Sequence, residues 1–243
     1  MIISLCDDPD AVADLAAQRV ADLLHEQPRT VLGLPTGRTP VLLYDRLADA
    51  HAADGLDFAQ VTTFNLDEFD GIGDLHPGSY RAYMRRYLFD RVNLPAGRGV
   101  VLDGLAPDPE AECHRFEALI DAAGGMDLQI LGLGANGHIG FNEPGDSLQA
   151  ATHVMTLLAP SREANAFFFD DDVSQVPAQA MTMGMGTILK ARRLLLLVTG
   201  ARKARTIAAA VRGPVTTLLP ASFLQLHTEV EIICDSEAAA GLR

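Results

Sequence analysis

Met126-Asp-Leu-Gln-Ile-Leu-Gly-Leu-Gly-Ala-Asn-Gly-His-Ile-Gly-Phe-Asn-Glu-Pro-Gly145 carries an apolar run straight into a glycine-rich loop. The run over residues 126–133 is short and mostly apolar, which suits a strand covered on both faces of a parallel sheet. The loop behind it holds His138 and Glu143, two groups able to move protons. Open α/β sheets present their chemistry in this way, at the carboxyl ends of the strands. Glycines at 132, 134, 137 and 140 permit tight bends and let a ligand approach the backbone.

Comparable runs recur at residues 30–34, 61–64, 194–198 and 230–234, and Met1-Ile-Ile-Ser-Leu-Cys6 reads as a first strand rather than a leader peptide. Helical patterns lie between them. Val12, Leu15, Ala16, Val20, Leu23 and Leu24 follow a helical period. In a second helix, residues 109–123, the residues Cys113, Phe116, Leu119 and Ile120 share one side, and Gly124-Gly125 ends it. A third covers residues 201–211 and stops at Gly213-Pro214. The alternation predicts a single α/β/α sandwich around a mostly parallel sheet, with residues 1–243 forming one domain.

Composition narrows the function classes. The chain has 243 residues, 48% of them hydrophobic, enough for a sizeable core. A formal net charge of −13 argues against nucleic acid or an anionic membrane surface as partner. No apolar run reaches the length of a membrane span. Cys6, Cys113 and Cys234 form no CxxC pair and suggest reduced thiols in the cytoplasm.

Two segments offer an anion a place. Leu32-Gly-Leu-Pro-Thr-Gly-Arg-Thr-Pro40 leads from a strand into a helix; Thr39 is placed to cap that helix, and Pro40 suits its first turn. Amides and the helix dipole there favour negative charge, and Thr36, Gly37, Arg38 and Thr39 supply donors and room. Thr199-Gly-Ala-Arg-Lys203 also follows an apolar strand. It puts Lys203 where its charge opposes a helix dipole, a placement a bound anion would offset. Taken alone, these segments also fit an ordinary turn and a solvated lysine.

Proton-transfer candidates come from two other strand ends. Val61-Thr-Thr-Phe-Asn-Leu-Asp-Glu-Phe-Asp70 ends in an acidic tip, where Asp67, Glu68 or Asp70 could serve as a general base if it faced a pocket; a solvated acidic loop is the alternative. Glu143 beside His138 could fix the imidazole tautomer. The spacing lacks any zinc signature. His25, His51, His114 and His153 read as surface or helix positions, and His76 as part of a flap at a His-Pro-Gly turn before a helix.

Three of these segments together resemble glucosamine-6-phosphate deaminases: Leu34-Pro-Thr-Gly-Arg-Thr-Pro40, Phe64-Asn-Leu-Asp-Glu68 and Gly137-His-Ile-Gly-Phe-Asn-Glu-Pro144. Supporting matches are His76-Pro-Gly-Ser-Tyr80, Val176-Pro-Ala-Gln-Ala-Met-Thr-Met-Gly184 and Leu219-Pro-Ala-Ser-Phe-Leu-Gln-Leu-His227. The resemblance implies a Rossmann-like α/β/α fold and no metal or organic cofactor. It implies conversion of glucosamine 6-phosphate and water to fructose 6-phosphate and ammonia. By position, Asp67 would take the C2 proton, and His138 would move the proton that opens the pyranose ring. Asn136 and Glu143 would orient His138, while Thr36, Gly37, Arg38, Thr39 and Lys203 would hold the phosphate.

The chain departs from the family pattern at three places. Asn136 stands where many members carry Asp, which leaves Glu143 as the anionic partner of His138. Phe167 stands where the pattern often has arginine, and Arg38 where it usually has glycine, so Arg38 is expected to replace the missing guanidinium. His153 and Met155 occupy a region where longer members carry basic residues for an allosteric activator, so a non-allosteric monomer is expected. Three other functions stay open: a galactosamine-6-phosphate deaminase, a 6-phosphogluconolactonase and a non-catalytic sugar-phosphate sensor.

Overall fold

The computed structural model describes residues 1–242. Its elements in chain order are β1 (Ile2–Cys6), α1 (Pro9–Glu26), β2 (Val31–Leu34), α2 (Pro40–Asp54), β3 (Thr62–Asn65), β4 (Asp67–Phe69), α3 (Tyr80–Tyr87), β5 (Gly99–Val100), α4 (Pro109–Ala122), β6 (Leu128–Gly132), β7 (His153–Thr156), α5 (Ala159–Asn165), β8 (Gln179–Thr182), α6 (Met185–Leu189), β9 (Arg193–Val198), α7 (Ala204–Arg212) and β10 (Val230–Asp235). Seven strands form one sheet in the order β1-β10-β9-β6-β2-β3-β5, and every pairing in it is parallel.

Alternation along the strands divides the core into two layers. On one side Leu32, Leu34, Leu128, Ile130, Leu195 and Leu197 pack against α1, α2 and α3. On the other Val31, Leu131, Leu194, Leu196 and Val198 pack against α4, α6 and α7. This is the three-layer α/β/α arrangement expected from the sequence. At Gly33 a Cβ would sit 1.9 Å from Oε1 of the buried Gln129, so the close approach of β2 and β6 requires glycine there.

Helix starts follow local chemistry. Asp8, Ser79 and Asp108 each accept a hydrogen bond from an amide in the first turn of α1, α3 and α4. Thr39 does not act as expected. Its backbone is already helical (φ −62°, ψ −46°), whereas a capping hydroxyl needs an extended residue behind it, so no side-chain cap forms. In α4 Cys113, Phe116 and Ile120 are buried but Leu119 is 37% exposed, on the edge of the apolar stripe. The third expected helix begins as a 3-10 turn, Ala201–Lys203, before α7.

A second sheet has no counterpart in the sequence reading. It is antiparallel, in the order β4-β8-β7, and lies over a cluster of Phe69, Tyr80, Phe141, Leu157, Phe169 and Val176. It corrects the expectation for His153, which is buried in β7 with its Nδ1 2.9 Å from the Ala151 carbonyl oxygen.

Candidate active site

Because β9, β6, β2 and β3 are adjacent and parallel, the segments that leave their carboxyl ends lie side by side. Lys203 follows β9, His138 follows β6, Thr36 to Thr39 follow β2, and Asp67 follows β3. The sheet order therefore brings the sequence-predicted residues to one edge, as open α/β sheets do for their ligands.

The β2 loop is braced from behind. Tyr44 on α2 donates its hydroxyl to the Pro35 carbonyl oxygen at 2.5 Å, and Tyr83 on α3 donates to that of Gly37 at 2.8 Å. Gly37 has φ +117°, where a side chain would be strained. Thr36, Gly37 and Thr39 are half-buried and Arg38 is exposed. The Arg38 guanidinium lies 4.6 Å from the Phe167 ring centroid, so its charge stands beside the position where the family pattern has its arginine. Lys203 is half-buried. Burial pushes its ammonium below the ordinary lysine value, with Arg202 adding to the effect, and among the described residues no carboxylate pairs with it.

Asp67 sits in β4, paired with Thr182 of β8. It is buried, and its Oδ1 has no hydrogen-bond partner. Burial, then the charge of Glu68, pushes its carboxyl up to about 8. Glu68 is buried too, but it accepts from the amides of Phe69, Tyr80 and Arg81. Burial pushes Glu68 up to about 7, and those amides and Arg81 oppose the rise. The acidic tip is thus a buried pair, not a solvated loop. Asp70 is half-buried and outside that pair.

The His138 loop is stitched to the same small sheet. Phe141 N donates to Thr182 Oγ1 at 3.0 Å, and Asn142 Nδ2 donates to the Met183 carbonyl oxygen at 2.8 Å. A Cβ at Gly140 would lie 3.5 Å from Asp67 Oδ2, so Asp67 faces the loop that carries His138. His138 itself packs over Gly134, where a Cβ would come within 2.3 Å of the imidazole. Asn136 orders the loop through its amide: Oδ1 accepts from His138 N at 3.2 Å, and Nδ2 donates to Glu143 Oε2 at 2.9 Å. Glu143 Oε2 lies 3.7 Å from His138 Nδ1, a charge-pairing distance longer than a hydrogen bond. Burial alone would raise Glu143, but His138, Ser161 and Asn136 outweigh it and hold the carboxyl below its ordinary value.

Several bracing groups escaped the sequence reading. Tyr44 and Tyr83 touch the site through hydroxyls, and Ser161 on α5 donates to Glu143 Oε1, while Thr182, within a recognised motif, accepts from Phe141 N. Tyr80, already within a recognised motif, donates to Asn165 Oδ1 at 3.0 Å. His76 stands in the turn before α3, with its ring centroid 5.5 Å from that of Phe169 and tilted to it by 39°. An open cleft of about 1080 Å³ elsewhere is lined by Asp74, His76, Arg81, Glu112 and Arg115. Its arginines are neutralised by Asp74 and Glu112, and it contains none of the candidate catalytic or phosphate-binding residues. Among the described residues no three His, Cys, Asp or Glu side chains cluster as a metal site needs, and no helix is long and apolar enough to cross a membrane.

Comparison with known proteins bears on this arrangement. Residues 8–233 match the family described as glucosamine-6-phosphate isomerases/6-phosphogluconolactonase. A glucosamine-6-phosphate deaminase of Hahella chejuensis is 46% identical over 242 residues, spanning 100% of this chain and 92% of that protein. Glucosamine-6-phosphate deaminase 1 of Bacillus subtilis is 42% identical, with 99% of each chain covered. The solved structure of a monomeric glucosamine-6-phosphate deaminase superposes with a TM-score of 0.96 at 42% identity, covering 99% of this chain and 100% of that one. A 6-phosphogluconolactonase from Trypanosoma cruzi shares the fold at TM-score 0.78 but is 20% identical, covering 99% and 96%. With its motifs, its sheet order and these likenesses in agreement, the chain belongs to the glucosamine-6-phosphate isomerase/6-phosphogluconolactonase family.

Proposed function

We propose that this protein is a glucosamine-6-phosphate deaminase, which converts glucosamine 6-phosphate and water to fructose 6-phosphate and ammonia. Thr36, Gly37, Arg38, Thr39 and Lys203 hold the phosphate, which positions the sugar without joining the chemistry. His138 carries the proton from the C1 hydroxyl to the ring oxygen, and the pyranose opens to an aldehyde. The C2 hydrogen is then acidic, and Asp67 removes it to give an enolic intermediate. Returning that proton to C1 gives the ketose imine. Water adds at C2 and ammonia leaves. Asn136 and Glu143 keep His138 in place throughout.

One observation carries this assignment: Asp67 is buried with an unpartnered oxygen and faces the His138 loop at Gly140. Two proton carriers on adjacent strand ends suit a reaction that moves protons at two different carbons and oxygens. The relatives are named for the gluco epimer, and the proposal takes that epimer over galactosamine 6-phosphate. The lactonase likeness rests on fold alone, and a sensor would have no use for a base with a raised pKa. The partner is a small sugar phosphate. The proposal further takes the chain as a cytoplasmic monomer, with residues 1–243 as one domain; β1 and β10, from opposite ends of the chain, pair in the same sheet.

Ammonia release from glucosamine 6-phosphate and from galactosamine 6-phosphate, with Asp67→Asn as control, tests the assignment. Release is expected from the gluco epimer and at least about a hundredfold less from the variant. No release from either sugar refutes it.

A further inference from the structure

Among the groups that brace the site, Ser161 is the one whose hydroxyl donates directly to Glu143, the carboxylate beside His138. Ser161 is buried on α5, and its hydroxyl donates to Glu143 Oε1. The other oxygen of Glu143 accepts from Asn136 Nδ2 at 2.9 Å and lies 3.7 Å from His138 Nδ1. The carboxylate is thus gripped at both oxygens, by an amide 7 residues before it in sequence and a hydroxyl 18 residues after it. The last torsion of a glutamate is broad, so one donor leaves the carboxylate plane free to turn and two donors fix it. Ser161 is itself held: its amide donates to the Leu158 carbonyl oxygen at 3.0 Å, and its own carbonyl accepts from Asn165 Nδ2 at 2.8 Å.

The charged neighbours leave this role to Ser161. On α5, Arg162 turns away to the carbonyls of Val173 and Val176. On β4, Glu68 is bonded to three amides, and Asp67 faces Gly140. Lys203 belongs to the segment after β9. Among the titratable groups, His138 is the one nearest Glu143, its Nδ1 3.7 Å from Oε2.

We infer that Ser161 is a positioning residue for the ring-opening step: its hydroxyl fixes the plane of the Glu143 carboxylate and, through it, the place of the His138 imidazole. The inference rests on the assignment of ring opening to His138. It also makes the α5 segment part of the machinery, since helix and histidine communicate through one carboxylate.

Ser161→Ala and Ser161→Cys in the full chain test it. Cysteine keeps the side-chain shape with a slightly larger atom but is a weak donor. With glucosamine 6-phosphate, kcat is expected to fall about tenfold in both variants while KM stays within about twofold. NMR titration of the Glu143 carboxyl in ligand-free protein is expected to move upward in both, because a donor to the anion is lost. A purely structural serine would leave that titration in place. If the alanine variant does not fold, the cysteine variant decides. Wild-type kcat with a wild-type Glu143 titration in a folded variant overturns the inference. Absence of ammonia release by the unaltered protein would remove the functional assignment instead, and the carboxyl titration would still judge Ser161.

Discussion

A base with a raised pKa, facing a cationic substrate, should show different acid limbs in the free enzyme and in the complex. Burial and Glu68 push Asp67 up to about 8, so kcat/KM is expected to rise with pH until that carboxyl has lost its proton. Glucosamine 6-phosphate carries its ammonium on C2, the carbon whose hydrogen Asp67 removes. Unit charges about 4 Å apart at an effective dielectric of about 20 attract by about 4 kcal/mol. That attraction equals about 3 pKa units and moves the acid limb of kcat from about 8 down to about 5. Ammonia release followed across that range gives both profiles, with the amine of the sugar titrated separately by NMR. Coincident limbs in kcat and kcat/KM would refute the electrostatic reasoning. Stability tests the same carboxyl without substrate. Folded Asp67 binds its proton more tightly than the unfolded chain, whose ordinary value is 3.8. Stability from the neutral acid is therefore complete below about pH 3.8 and lost as pH rises toward about 8. Asp67→Asn stays neutral, so its Tm should gain on the wild type through that window. A Tm difference independent of pH would show that Asp67 is not destabilised by burial.

Three further outcomes follow from the site. Arg38→Ala should raise KM for glucosamine 6-phosphate by about threefold to tenfold with little change in kcat, because an exposed guanidinium contributes less than a buried one; an unchanged KM removes Arg38 from the phosphate grip. Gly134→Ala places a methyl against the imidazole of His138, so kcat should collapse while circular dichroism stays native; full activity would contradict the packing. Glu143→Gln removes the anion next to His138 but keeps the shape, and the pH–rate profile should shift; an unshifted profile would show that the imidazole does not depend on that charge.

Six strands of the large sheet were legible because they are apolar runs separated by helices with a clear period; the seventh, β5, was not, since Gly99-Val100 is only 2 residues long. Edges moved by a residue or two, as with β6, where Met126 and Asp127 precede the strand. The small sheet was hidden. Its strands, Asp67-Glu-Phe, His153-Val-Met-Thr and Gln179-Ala-Met-Thr, are three or four residues long. They show no alternation that survives their burial against Phe141 and Phe169. The burial of Asp67 and His153 depends on that sheet, so neither environment could be read locally. Motif residues were placed on one edge because sheet order does that work. The braces were not, since Ser161 and Tyr83 act across 18 and 46 residues and Tyr44, 9 residues from Pro35, carries no short-range signature.

Glu68 has a consequence for substrate choice. It clamps the first amides of α3, and Tyr83 of that helix holds the Gly37 carbonyl. The proton acceptor next to Glu68 and the cradle for the sugar's far end are thereby parts of one rigid body. Such a frame works as a ruler: it sets a fixed span between the carbon to be deprotonated and the terminal anion. Amino sugars with one carbon more or fewer in that span would be gripped yet misaligned, and discrimination by chain length would appear in turnover more than in affinity.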